Sequence, residues 1–450
     1  MKRPSDLLTV RNLLAGAMLL VGMFLIVRNW PVVTGLPTGT SAGQRPEEIS
    51  KQIRQVERLR TPSSKPTPAV VERLIPSRSP TPLLSPGPAG SPIPTSAPAT
   101  GSPEPTEGST PTLTQEAPAT ATPQPKVRPW ATSSPIPSSA VQPSLFLTRE
   151  RFGVGVALPP ADEYDVGRLG AGWYVNWWVN PSPPRLNGME FVQMVRVVGG
   201  TYVPALDTIG AAADANPGSL WIIGNEPDVI WQDNATPMEY AQVYHELYTF
   251  LKAKDTSCQV AIGGISQPTP LRLRYLDMIL EAYQTLYGEK MPVDVWNIHA
   301  FILREEKGSW GVDIPPGIPA TKGILYEIED HDDVRIFKWQ IVDFRRWMKE
   351  RGERHKPLIV SEYGILMPED YGFPYEAVRD FMCRSFDYFL TTVDENIGCP
   401  ADGNRLVQRW SWYSLSDKRY PTGNLFDPGT KEITRLGIDY KNYVDHLPSR

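Results

Sequence analysis

The chain has 450 residues and a formal net charge of −5, but both figures average over two unlike parts: up to Leu145 there are 14 Lys and Arg against 8 Asp and Glu, and beyond it 31 against 42. Of the 47 prolines, 21 fall between Thr61 and Pro143, and no Phe, Trp or Tyr occurs from Pro31 to Pro129. A Pro-, Ser- and Thr-rich stretch without aromatics cannot bury enough apolar surface to offset its ordering entropy, so a single globule is excluded, and the acidic remainder repels polyanions, so nucleic acid is excluded as a partner.

Residues 1–33 read as a short cytoplasmic N-terminus and a transmembrane anchor. Lys2, Arg3 and Arg11 precede an apolar run over 13–27, closed by Arg28 and extended through Trp30 to Val33. With its flanks the run reaches about 20 residues, enough for a hydrocarbon core, and the leading basic residues favour an inside N-terminus. A cleaved signal peptide has the same order of charge and apolar run, but no A-x-A site follows. Either reading exports the rest of the chain, as a single-pass cell-membrane protein with an extracellular domain or as a secreted one. Residues 34–145 read as a low-complexity Pro-, Ser- and Thr-rich linker, extended and partly polyproline-II from Thr61 to Pro143, that holds the following domain away from the membrane.

From residue 146 to 450 there is enough chain for one large domain. Short β-rich runs at 152–158, 173–179, 191–198, 220–224, 259–265, 293–300, 357–363 and 407–413 alternate with amphipathic stretches. The clearest helices are predicted over 237–253, 271–286, 334–351 and 375–393, with a last one over 436–444. In the first of these Tyr240, Val243, Tyr244, Leu247 and Phe250 recur at helical spacing. Most strand runs are apolar throughout, as in a parallel sheet covered on both faces. Eight such units predict an α/β fold, a closed (β/α)8 TIM barrel. A doubly wound open sheet is the alternative, but Gly153-Val154-Gly155 lacks the third glycine of a dinucleotide fingerprint. Cys383 and Cys399 flank the end of one predicted helix and can pair in an oxidising compartment, leaving Cys258 over. Without C-x-x-C, H-E-x-x-H or G-x-S-x-G motifs, no metal, no cofactor and no serine-hydrolase site is expected. No obligate protein partner is evident.

In a barrel of this kind the ends of the strands face the active site. The fourth strand runs into Gly224-Asn225-Glu226-Pro227-Asp228 and the seventh into Ser361-Glu362-Tyr363-Gly364. A carboxylate at the tip of an apolar strand resists ionising, and two together separate in pKa, which suits one as acid and the other as base or nucleophile. That pair is the requirement of glycoside cleavage.

Asn-Glu-Pro after strand four with a glutamate after strand seven resembles clan A of the glycoside hydrolases, (β/α)8 retaining enzymes. The Trp177-Trp178, Gly-Asn-Glu-Pro-Asp and Arg409-Trp410-Ser411-Trp412 stretches are also similar to the glycosyl hydrolase catalytic-core β-glucanases. The resemblance implies Glu226 as acid/base, Glu362 as nucleophile and Asn225 as a partner of the sugar 2-hydroxyl. His299 ends strand six, where the clan often places a His or Tyr beside the nucleophile, although Ala300-Phe301 replaces the more usual polar-aromatic pair. Trp412 and Trp410 share one face of strand eight and are candidate platforms for sugar rings. Trp177, Tyr363, Asn176 and Trp231 complete the candidate substrate-binding set; Asp228 is a candidate loop cap. Asn234-Ala235-Thr236 fits a glycosylation sequon, and Thr236 fits equally as a helix cap. The expected activity is a membrane-anchored extracellular retaining glycosidase acting on a β-linked polysaccharide or oligosaccharide. The alternative is a non-catalytic surface module that binds glycan on the same barrel.

Overall fold

The computed structural model describes residues 144–158 and 160–447. The expected anchor and the spacer up to residue 143 lie outside the described residues. Among the described residues no helix is long and apolar enough to cross a membrane.

The chain enters through a short helix, α1 (Thr148–Arg151). Arg151 grips Asp402 with two nitrogens, at 2.8 and 2.6 Å, and Asp402 also accepts from the amide of Leu145 at 2.9 Å. Both charges are buried, and the forked pairing is what makes that burial tolerable. It ties the start of the domain to a segment some 250 residues later.

Among the described residues nine strands follow: β1 (Phe152–Gly155), β2 (Trp173–Val175), β3 (Glu190–Val198), β4 (Thr201–Val203), β5 (Leu220–Asn225), β6 (Gln259–Gly264), β7 (Trp296–His299), β8 (Leu358–Tyr363) and β9 (Arg409–Trp412). All except β4 run parallel, in the order β6-β5-β3-β2-β1-β9-β8-β7. Parallel bridges Ala261↔Val295 and Ile265↔Ile298 join β6 to β7 and bring the sheet close to closure. The result is the eight-stranded parallel barrel expected from the sequence. β5 and β8 are buried at every residue, which is why their sequences read as continuous apolar runs rather than alternating ones.

Among the described residues six longer helices cover the barrel: α2 (Leu206–Ala215), α3 (Pro237–Lys254), α4 (Pro270–Tyr287), α5 (Val334–Glu350), α6 (Tyr375–Thr391) and α7 (Arg435–Asp445). The start of α3 has a clear local cause. Thr236 and Glu239 exchange side-chain and backbone hydrogen bonds as a capping box, with Pro237 in the first turn. The Thr236 hydroxyl is therefore a helix cap.

Three features differ from the sequence expectation. The crossovers after β1 and β2 contain only 3-10 turns, at Ala161–Glu163, Val166–Leu169 and Leu186–Gly188, instead of α-helices. A hairpin folds β4 antiparallel onto β3, and α2 follows it; the buried face of α2 is mostly Ala and Gly, which gives little hydrophobic periodicity to read. Finally, Cys383 and Cys399 are both free, so the pairing that the sequence left open does not form; the Cys399 thiol instead lies 3.4 Å from the carbonyl of His355.

Candidate active site

Glu226 is placed by an unusual strand end. Gly224 has φ +90°, and a Cβ there would press on Tyr240, Asp233 and Val197, so glycine is needed for both conformation and space. The buried Asp233 carboxylate accepts from the amides of Asn225 (2.6 Å) and Val197 (2.8 Å) and pairs with Arg196. The amide of Glu226 donates to Gly264 O at 3.0 Å, and its carbonyl accepts from Val229 at 3.0 Å. Held at these points, Glu226 itself sits at φ +45°. A non-glycine residue in left-handed backbone costs energy and persists only where its surroundings impose it.

Glu362 arrives from β8, whose register slips against both neighbours: next to His299 on β7 and between Val360 and Tyr363 opposite β9. These irregularities turn the strand end and set His299 directly opposite Glu362. Glu226 and Glu362 are 4% and 6% exposed, and His299 is fully buried.

The imidazole of His299 stands between the two carboxylates. Its Nδ1 is 2.9 Å from Glu226 Oε1 and its Nε2 is 3.2 Å from Glu362 Oε1. The second contact is within ion-pair range but off the hydrogen-bond line, so Nε2 has no hydrogen-bond partner. A Cβ on Gly264 would lie 2.5 Å from the ring's Cδ2; the imidazole fits because that residue is glycine. Burial works against the charged ring, but Glu362, Glu226 and Asp228 outweigh it and raise the pKa above its ordinary value. Burial likewise pushes Glu362 up to about 7; Glu226 adds to the rise, while His299 and the Trp177 N–H oppose it. That N–H donates to Glu362 Oε1 at 2.6 Å, and Trp177 takes φ +63° to present it. The site thus combines two carboxylates, one bridging imidazole and two residues in left-handed backbone.

The sequence-expected set divides. Asn225, Glu226, His299, Glu362 and Trp177 are brought together or lie next to one another in the chain; Asn225 Oδ1 is buried without a hydrogen-bond partner. Trp410, Trp412 and Tyr363 are packed away from the cleft, which corrects the sugar-platform role expected of the two tryptophans and the substrate contact expected of Tyr363. Trp410 stacks on Phe389 at 4.9 Å and meets Phe152 edge-on; Trp412 meets Tyr363 and Phe381, with its N–H on Gly423 O at 2.8 Å. Tyr363 packs on Phe337 and Phe389. Phe337 belongs to α5, and Phe381 and Phe389 to α6. All three side chains therefore fill the layer between sheet and helices, where large flat rings pack well. Asn176 accepts from the amide of Trp178 at 3.3 Å and shapes the turn carrying Trp177. Trp231 is half-buried, its indole nitrogen enclosed and unpartnered. Asp228 is fully buried on Ser266 and 3.2 Å from Arg272, which also meets Glu305. It fastens loops.

The opposite face of the β9 end carries what sequence reasoning missed. The ring of Tyr413 lies 5.9 Å from Trp177 and 6.2 Å from Phe301, which is itself 6.2 Å from His299. Tyr420 follows at 6.4 Å from Tyr413. The signal for Tyr413 was the two-residue alternation of β9, which puts it on the face that Trp410 and Trp412 do not share. Among the described residues no group of three or more His, Cys, Asp or Glu is arranged to hold a metal ion.

Residues 158–313 match the family model described as glycosyl hydrolase catalytic core. That stretch carries Asn225, Glu226 and His299 and ends before Glu362, and over it the expected glycosidase core is met. No curated protein matches the chain. Among solved structures, it is similar to an endo-β-1,3-glucanase of GH128 subgroup II from Pseudomonas viridiflava, with 18% identity over 67% of this chain and 98% of that one and a TM-score of 0.45. It is also similar to a subgroup I endo-β-1,3-glucanase from Amycolatopsis mediterranei in complex with laminaritriose (19% identity, 65% and 99% covered, TM-score 0.43). A third is a curdlan-specific exo-β-1,3-glucanase of subgroup III from Blastomyces gilchristii (17%, 65% and 97%, 0.42).

Proposed function

We propose that this glycosyl hydrolase core cleaves β-linked glycans by double displacement outside the cell, on a domain tethered to the membrane by the apolar run over 13–27. The observation that carries the reaction is the shared imidazole. Two glutamates 136 positions apart in the chain, each almost fully buried, meet one ring within 3.2 Å. A binding site gains nothing from enclosing two carboxylates at such a desolvation cost; an acid and a nucleophile need that enclosure.

In the first step the Glu362 carboxylate attacks the anomeric carbon as the bond to the leaving oxygen breaks, and Glu226 delivers its proton to that oxygen. A glycosyl ester on Glu362 results. In the second step Glu226, now ionised, takes a proton from water as the water attacks the same carbon, and the ester bond returns to Glu362 as a carboxylate. His299 gives the cluster a place to keep the working proton. The 2.9 Å contact between Nδ1 and Glu226 Oε1 is a path by which that proton reaches the acid, while Nε2 faces Glu362 at 3.2 Å. Trp177 and His299 favour the ionised form of Glu362 and limit the rise that burial causes.

The test is hydrolysis by the exported domain of β-1,3-glucans, other β-glucans, mannans and xylans, with NMR of the first-formed anomer. Retention of the β configuration, and loss of turnover in Glu362→Ala, are expected. An inverted first product would sink double displacement; glycan binding unchanged by Glu362→Ala, with no turnover in the parent protein, would favour a binding module. Fractionation of cells carrying the full chain tests the tether: the domain should sediment with membranes and lose that association when residues 1–33 are removed.

A further inference from the structure

We infer that Asp233 is a positioning residue for the acid step: it holds the strand end that aims Glu226 and does so without touching substrate. This rests on the glycosidase reading and adds to it a residue that acts through the acid. The pairing of β3 with β5 runs to Val195↔Ile223. Two residues further on, at Val197 and Asn225, one oxygen of the Asp233 carboxylate accepts from both amides, at 2.8 and 2.6 Å. A carboxylate thus stands between the two strands where the ladder would otherwise continue. Its other oxygen faces Arg196, whose Nε lies 2.6 Å away and whose Nη2 also reaches Gln232 at 3.2 Å.

The loop that brings Asp233 back to the strand end is closed on itself. The amide of Ala235 donates to Pro227 O at 3.0 Å, and that of Gly199 to Asp233 O at 2.9 Å. Gly224 at φ +90° and Glu226 at φ +45° lie on either side of Asn225. Asn225 is therefore the single residue between two left-handed positions, and its amide is the one that Asp233 grips. Left-handed backbone at a glutamate persists only where its neighbours impose it. Without the carboxylate the β3 side of this strand end loses its hold, and Glu226 is free to relax towards right-handed backbone. That rotation would carry its carboxyl off the 2.9 Å contact with His299 Nδ1. Asp233 is 1% exposed, so no substrate reaches it. The bonds its carboxylate accepts come from β3 and from the end of β5, whereas Glu362 is carried by β8. Its influence on the reaction therefore passes through the acid and not through the nucleophile.

The experiment compares Asp233→Asn with the parent protein on two substrates sharing one β-linked oligosaccharide glycon. In one the leaving group is a further sugar, whose oxygen needs a proton as it departs; in the other it is dinitrophenolate, which departs without one. Asparagine keeps the shape, but its NH2 must face either the two amides or Arg196, donors in both cases. We expect kcat/KM, which reports the first step, to fall about tenfold to a hundredfold on the sugar leaving group and less than about threefold on dinitrophenolate. A merely structural role would lower both alike. Asp402→Asn is the control: it breaks the buried pair with Arg151 at the other end of the strands, so it should lower the thermal midpoint without distinguishing the substrates. Should Asp233→Asn fail to fold, Arg196→Lys carries the test; it keeps the charge, loses the fork, and should show the same selectivity at about threefold. Equal losses on the two substrates, or none, in a folded variant of an active parent would overturn the role of Asp233 alone. A parent protein inactive on every β-glycoside would overturn the glycosidase reading and this inference with it.

Discussion

The indole N–H of Trp177 lies 2.6 Å from Glu362 Oε1, the same oxygen that His299 Nε2 approaches at 3.2 Å. Both groups favour the ionised carboxylate, against burial and Glu226, which together leave its pKa at about 7. Removing the N–H must therefore move that pKa upward. In Trp177→Phe the acid limb of kcat/KM should shift to higher pH, with activity near pH 6 reduced about tenfold while the plateau changes less. His299 and Glu362 lie close enough to titrate together, so the limb reports the apparent pKa of the pair. A limb unmoved in a folded variant would show that Glu362 ionisation does not govern the profile.

The same shift has a stability counterpart. A carboxyl whose folded pKa is about 7, above an ordinary 4.5, binds its proton more tightly in the folded state. Stability from this group is therefore greatest below the ordinary value and declines as pH rises towards 7. Glu362→Gln removes the ionisation and still offers an oxygen to Trp177. It should be inactive and, at pH 8, more stable than the parent by up to about 3 kcal/mol, with the gain vanishing near pH 4. Thermal or denaturant unfolding across that range measures it; a variant less stable at pH 8 would show that the buried carboxylate is not a net cost.

The barrel and its reacting pair were legible for a simple reason. Strands covered on both faces, such as the Leu-Trp-Ile-Ile run of β5, read as apolar blocks, and Glu226 and Glu362 stand out where such blocks end. The aromatic lining was not legible. Trp410 and Trp412 are as prominent in sequence as any sugar platform, but a strand alternation has two faces and its residues do not say which one is the cleft. The slip in register between Val360 and Tyr363 adds a further change of facing that no local pattern encodes. His299 was identified beside the nucleophile, but its contact with Glu226 depends on the approach of β6 and β7. That approach requires Gly264, which in sequence is one of a pair of glycines at the end of an unremarkable strand.

Gly264 offers a test of the bridge without altering any charged group. A methyl there would sit 2.5 Å from the His299 ring, closer than carbon atoms tolerate, so the imidazole must shift. Gly264→Ala should lower kcat by about tenfold or more, since displacements of an ångström are costly in a preorganised site. It should also alter the pH profile, because both carboxylates lose their shared partner. Kinetics against pH, with circular dichroism to confirm folding, would decide; an unchanged profile would mean that the reaction does not depend on the position of His299.

His331 makes a prediction of opposite sign to Glu362 in an overlapping pH window. It is buried, with Nδ1 2.9 Å from the carbonyl of Ile302 and Nε2 3.0 Å from the amide of Leu366. Those partners fix a neutral tautomer, the hydrogen on Nδ1 donating and Nε2 accepting, and so fasten the loop after His299 to the loop after Glu362. Burial lowers its pKa from 6.5 to about 4, only partly offset by the Ile302 bond. A base depressed in this way is protonated more readily when the protein is unfolded. Its contribution is therefore intact above 6.5 and declines by roughly 3 kcal/mol as pH falls towards 4. Protonation would also turn Nε2 from acceptor to donor opposite the Leu366 N–H, so the two loops should loosen before the barrel does. Hydrogen exchange at Leu366 should accelerate below about pH 5 while exchange in β5 stays slow, and the His331 ring should not titrate by NMR above that pH. A His331 signal titrating near 6.5 in the folded protein would contradict the buried neutral tautomer and the loop clasp built on it.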